Sequence, residues 1–92
     1  MGVMGFQDVM KALADPTRRE ILNILKSGAL PATEIVDRFS MSAAAISKHL
    51  SILREAELVR SRRDGKYIYY ELSASVIEEV LLWLTDLKED AT

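Results

Sequence analysis

The sequence predicts a mainly α, α+β domain in which four short helices precede a two-stranded β-hairpin and a fifth, longer helix follows it. Three observations carry this expectation. Apolar residues recur at helical spacing around Phe6–Leu13, Ile46–Leu53 and Val76–Leu87. The period drops to two across residues 58–72, on either side of an Asp64-Gly65 turn signal. A chain of 92 residues has room for one folding unit, taken as 1–92.

Phe6, Val9, Met10 and Leu13 fall at i, i+3, i+4 and i+7, one face of a first helix. Asp15 suits an N-cap and Pro16 the first helical position, so a second helix starts there. It turns Ile21, Leu22, Ile24 and Leu25 inward and stops at Gly28. Pro31 opens a short third helix carrying Ile35, Val36 and Phe39. Ser40-Met41-Ser42 is a brief polar break. Ser42 then caps a fourth helix, about 42–56, whose buried stripe is Ile46, Leu50 and Leu53. In the hairpin, about 58–72, Val59 and Ser61 share one face of the first strand, and Leu58, Arg60 and Arg62 the other. In the second strand Tyr67, Tyr69 and Glu71 alternate with Ile68, Tyr70 and Leu72. Ser73 or Ser75 caps the last helix, about 76–90.

Composition narrows the function classes. Hydrophobic residues make up 49% and charged residues 28%, the balance of a folded chain. The absence of cysteine excludes disulfides, thiolate metal sites and cysteine nucleophiles. Met1–Gly5 is unlike a signal peptide, and the longest apolar stretch, Val80–Leu84, is far too short to cross a bilayer. The expectation is a cytoplasmic protein without membrane insertion. No phosphate-cradling glycine loop, nucleophile–base pair or histidine–acid cluster is present, so neither an enzyme nor a cofactor is expected.

The net charge of −2 conceals an asymmetry. Residues 1–41 hold five basic and five acidic side chains; residues 42–70 hold six against three, or +3; residues 71–92 hold one against six, or −5. A polyanion responds to the local field, because charges beyond a Debye length of about 8–10 Å are screened.

Two short helices joined by a tight polar turn, then a basic hairpin, form the layout of a winged helix-turn-helix. A helix enters the major groove when one face packs on a scaffold and the other offers short polar side chains to base edges. The fourth helix has that division, with Ala44, Ser47, Lys48 and Ser51 outward and Ala45 and Arg54 flanking. Small residues at its start, after Ser42, allow close approach to bases. Arg60, Arg62, Arg63 and Lys66 surround the hairpin tip, placed to follow the sugar-phosphate backbone, and Tyr69 is a further backbone contact. Tyr70, alternating with Ile68 and Leu72, belongs to the core.

Three further segments bear on family. Ala12-Leu13-Ala14-Asp15-Pro16-Thr17-Arg18-Arg19-Glu20-Ile21-Leu22, the run from Ser42 through Ile46-Ser47-Lys48-His49-Leu50 to Leu53, and Leu58-Val59 through Asp64-Gly65-Lys66 to Leu72 resemble the ArsR/SmtB family of bacterial repressors. The resemblance covers about residues 6–87 and is greatest to short autorepressor-type members without a metal-sensing motif. It implies a homodimer joined through the first and last helices, binding an imperfect inverted repeat on double-stranded DNA, with its own promoter as one candidate. Metal-sensing members carry a cysteine pair on the helix before the turn, or acids and histidines on the last helix. Here the first region reads Thr33-Glu34-Ile35-Val36-Asp37 and the last helix has no histidine, so the metal switch is not carried over.

Other readings stay open. His49, the single histidine, reads first as a DNA-facing residue, then as a plain surface residue, then as a ligand or pH sensor. Arg18 and Arg19 suit either a phosphate contact or a structural salt bridge. The wing cations also suit a charged sheet edge that discourages aggregation. The last helix is apolar around much of its girth, so it needs cover on more than one side. A second copy is the expected cover, through Phe6, Met10, Val80, Trp83, Leu84 and Leu87; a protein-docking module that never reads DNA is the competitor. An effector, protein or small molecule, is left open.

Overall fold

The computed structural model describes residues 5–90. Residues 1–4 and 91–92, the ends of the expected 1–92 unit and most of the Met1–Gly5 segment, lie outside the described residues. The chain runs α1 (Phe6–Leu13), α2 (Pro16–Ile24), a 3-10 turn (Leu25–Ser27), β1 (Leu30–Pro31), α3 (Ala32–Asp37), α4 (Ala43–Glu55), β2 (Val59–Asp64), β3 (Tyr67–Leu72) and α5 (Ala74–Asp90).

Local chemistry sets the helix starts. The Asp15 carboxylate accepts the amides of Thr17 at 2.8 Å and Arg18 at 3.2 Å, and Pro16 stands first in α2, where no donor is lost. The Ser42 hydroxyl accepts the Ala45 amide at 3.1 Å, a cap worth about 1 kcal/mol to α4. α2 tightens into the 3-10 turn before Gly28, whose φ of 133° is open to glycine and costly for other residues.

The end of α4 is a Schellman closure. Leu58 donates its amide to the Leu53 carbonyl at 3.0 Å, and Glu57 donates to Arg54 at 2.9 Å. Glu57 takes the left-handed position at φ 61°, where glycine is usual. Leu53 and Leu58 are both buried, supplying the hydrophobic contact that accompanies this motif.

Several expectations need correction. The hairpin is part of a three-stranded antiparallel sheet in the order β1-β3-β2, because Leu30 and Pro31 pair with Tyr70 and Tyr69. Pro31 therefore ends a strand and precedes α3 rather than opening it, and α3 stops at Asp37, before Phe39. The two-residue loop is Gly65-Lys66, since Asp64 pairs with Tyr67. Gly65 at φ 64° takes the first central position, the pattern of a II′ hairpin turn. Leu58 and Val59 are both buried, because Leu58 belongs to the closure of α4 and not to the strand alternation. The last helix begins at Ala74, so Ser73 and not Ser75 precedes it.

The core gathers Val9 and Ala12 of α1, Ile21 and Leu25, Ile35 of α3, Ile46, Leu50 and Leu53 of α4, Leu58, Val59, and Val76 and Val80 of α5. Cutting a leucine such as Leu50 to alanine in a core this small costs about 2–5 kcal/mol. α4 is thus fixed along one edge, with its other edge free.

Candidate nucleic-acid interface

Along α4 the division by burial is sharp. Ile46, Leu50 and Leu53 are buried, while Ser42, Ala44, Ser47, Lys48 and Arg54 are exposed. Ala45, His49 and Ser51 lie at the boundary, half-buried. α3 packs on α4 across the Arg38–Ser42 connection, giving the helix-turn-helix its frame. An open crevice of about 390 Å³ lies beside the start of α4, between it, α3 and β3, and is lined by Val36, Ala43, Ser47, Leu50, Ile68 and Tyr70. In the sequence Ile68 is one member of a strand alternation; in the structure it is 42% exposed and borders the same crevice as Ser47.

Register divides the wing into two faces, because directly opposed residues of antiparallel strands point the same way. One carries Val59/Leu72, Ser61/Tyr70 and Arg63/Ile68; the other carries Arg60/Glu71, Arg62/Tyr69 and Asp64/Tyr67. The expected wing cations are therefore split between faces. Arg60 Nε lies 2.9 Å from Glu71 Oε1, which neutralises much of its charge at the base of the wing. Lys66 Nζ sits 5.4 Å from the centre of the Tyr67 ring, and Arg63 Nε donates to the Gly65 carbonyl at 3.3 Å. Tyr69 is half-buried beneath Arg62, and Tyr70 packs against the core.

Arg18 and Arg19 both bond to backbone carbonyls within the chain. Arg18 donates from Nε to the Ala12 carbonyl at 2.9 Å and from Nη2 to Lys11 at 3.0 Å; Arg19 donates to Leu13 at 2.7 Å. They serve the carbonyls of the last turn of α1, beside the Ala14 amide that also reaches Lys11. Arg18 Nη1 also lies 3.2 Å from His49 Nδ1. A guanidinium only donates, so this contact is a hydrogen bond in the tautomer that offers Nδ1 as the acceptor and carries the ring hydrogen on Nε2. No sequence pattern joins these two residues, which are 31 positions apart. Burial raises the pKa of Asp15, but the Arg18 and Thr17 amides and the charge of Arg18 outweigh it and hold the carboxyl below its ordinary value.

Of the side chains expected to meet a second copy, Val80 is 8% exposed and packs in the chain's own core. Phe6 and Trp83 touch edge to face within the chain, with ring centres 5.1 Å apart. Met10, Trp83, Leu84 and Leu87 are exposed, as are Ile77, Leu81 and Leu82. No helix among the described residues is long and apolar enough to cross a membrane. Among the described residues no three histidine or acidic side chains converge on a metal-sized site.

Residues 15–61 match the model of the family described as bacterial regulatory protein, arsR family. The chain is 43% identical over 77 residues to the transcriptional repressor SdpR of Bacillus subtilis (strain 168), covering 84% of this chain and 86% of that protein. It is 33% identical over 73 residues to an arsenical resistance operon repressor of Staphylococcus aureus, covering 79% and 70%. A solved ArsR-like transcriptional regulator from Rhodococcus sp. RHA1 superposes with a TM-score of 0.85 at 31% identity, covering 91% of this chain and 77% of that one. With its winged helix-turn-helix and an α4 divided between buried and free edges, this chain belongs to the ArsR family of bacterial regulatory proteins and is a DNA-binding transcriptional regulator, not an enzyme.

Proposed function

We propose that the protein is a transcriptional repressor that binds an inverted-repeat operator as a homodimer, one α4 in each of two successive major grooves. The observation that carries this reading is the exposed Ser47–Lys48 pair on a helix whose opposite edge is fully buried. Ser47 reaches a base edge, Lys48 a phosphate or a guanine edge, and the small residues Ala44 and Ala45 permit close approach. Ser42, Ser51 and Arg54 border that contact, with His49 half-buried behind them. Arg62, Arg63, Lys66 and Tyr69 of the wing supply backbone contacts, with Arg60 the weaker contributor because of Glu71. Half-sites then lie about 10–10.5 bp apart, or a multiple of it. A dimer seated on a promoter represses by excluding polymerase, and its own promoter is the first candidate.

The partner for the exposed face of α5 is a second copy, through Trp83, Leu84, Leu87 and Met10, with Phe6 supporting Trp83. SdpR, the repressor that matches 84% of this chain, supports the repressive role.

Selection of bound fragments from the host genome, followed by gel shifts with Ser47→Ala and Lys48→Ala, tests the proposal. Ser47→Ala relaxes the preference at one base position, and Lys48→Ala weakens binding about tenfold. A protein that gives no footprint on any fragment overturns it.

A further inference from the structure

We propose that Arg18 is a positioning residue for DNA recognition, one that ties the end of α1 to His49 on α4 and holds the recognition helix at a set angle. The inference rests on the reading of α4 as the helix that enters the groove.

Arg18 divides its rigid fork between two helices. Nε and Nη2 hold the Ala12 and Lys11 carbonyls in the last turn of α1, and Nη1 holds Nδ1 of His49. Asp15 accepts the Arg18 amide at 3.2 Å and so fixes where the fork begins. Because the guanidinium is planar, α4 cannot rotate against α1 without lengthening at least one of these bonds. His49 directly follows Ser47 and Lys48, so a rotation at His49 carries both with it. The core stripe of Ile46, Leu50 and Leu53 keeps α4 attached when the tie is broken, but apolar packing is non-directional and sets the angle less sharply. Base-edge contacts tolerate about 0.5 Å of misplacement, whereas attraction to phosphates tolerates much more. Breaking the tie therefore lowers sequence preference and leaves non-specific binding intact.

The test compares two probes, sonicated heterologous duplex DNA and the duplex recovered by binding-site selection with the wild-type protein. Arg18→Lys keeps the charge and removes the fork; His49→Phe removes the acceptor; His49→Asn keeps an acceptor near the place of Nδ1. Arg18→Lys and His49→Phe are expected to bind the selected duplex about five- to thirty-fold more weakly, with the heterologous DNA changed less than about twofold. His49→Asn restores most of the affinity, and the double variant Arg18→Lys/His49→Phe binds no more weakly than the worse of the two single variants. Equal losses on both probes, multiplying losses in the double variant, or His49→Asn as damaging as His49→Phe overturns the proposal. If Arg18→Lys does not melt cooperatively, the two His49 variants decide by themselves. A wild-type protein that binds neither probe overturns the DNA reading as well, whereas a wild-type protein that selects a site while the variants behave additively overturns only the role of Arg18.

Discussion

The guanidinium carbon of Arg62 lies 5.0 Å from the centre of the Tyr69 ring, and the two residues oppose each other across the β2–β3 register. The negative face of the ring attracts the cation, an interaction worth about 0.5–1 kcal/mol at an exposed site. It also holds a long side chain in one place before any phosphate arrives, which reduces the entropy lost on binding. The wing thus presents a pre-ordered cation, while Arg60 beside it is occupied by Glu71.

Tyr69→Ala leaves the charge and removes the platform. DNA affinity is expected to fall about two- to fivefold with an unchanged salt slope. Arg62→Ala/Arg63→Ala instead flattens the slope of log affinity against log salt by about 1.8, at about 0.9 for each phosphate no longer neutralised. Fluorescence anisotropy across a sodium chloride series separates the two; an unchanged slope in the double variant removes these arginines from the backbone contact.

Glu57 is strained by its left-handed backbone, and glycine would not be. Glu57→Gly is expected to raise stability by about 1 kcal/mol, and a β-branched residue there to lower it. Urea unfolding reads the difference. A glycine variant with a lower midpoint means that the Glu57 side chain makes a contact of greater worth.

Asp15 is held below its ordinary pKa in the folded state, so its contribution to stability is complete above the ordinary carboxylate value and fades as pH falls through the lower folded one. Asp15→Asn keeps an oxygen for the Thr17 and Arg18 amides and removes the titration. Its acid limb below about pH 4 is expected to be shallower than that of the wild type in thermal melts. Parallel limbs assign acid sensitivity to other carboxylates.

Leu81 and Leu84 are 61% and 50% exposed on α5, so charging them disturbs little inside the chain. Leu81→Glu/Leu84→Glu is expected to shift the solution mass from twice 10.3 kDa to 10.3 kDa with helicity retained. Light scattering with circular dichroism checks it. A wild type already at 10.3 kDa overturns the proposed dimer, and a variant that keeps the doubled mass moves the proposed interface elsewhere.

Local chemistry decided much of this molecule before any long-range contact was considered. Asp15-Pro16 and Ser42 announce helices because the capping oxygen sits two or three residues from the amide it serves. The alternation after Val59 announces the wing, and the spacing of Ile46, Leu50 and Leu53 tells which edge of α4 is free. The loop residues of the hairpin slipped by one because Asp64-Gly65 and Gly65-Lys66 both offer a glycine, and only the pairing of Asp64 with Tyr67 chooses between them.

Tertiary structure decided the remainder. Leu30-Pro31 is too short to show a period of its own and becomes a strand only because β3 has an open edge beside it. Val80 and Leu84 are both apolar residues on one helix, and the packing of α5 on the core buries the first and exposes the second. Whether a wing arginine is free or paired depends on the residue across the ladder, and the tie between Arg18 and His49 spans 31 positions. Caps and periods are contacts between near neighbours, which a sequence records directly; partners brought together by folding are recorded only in the packing.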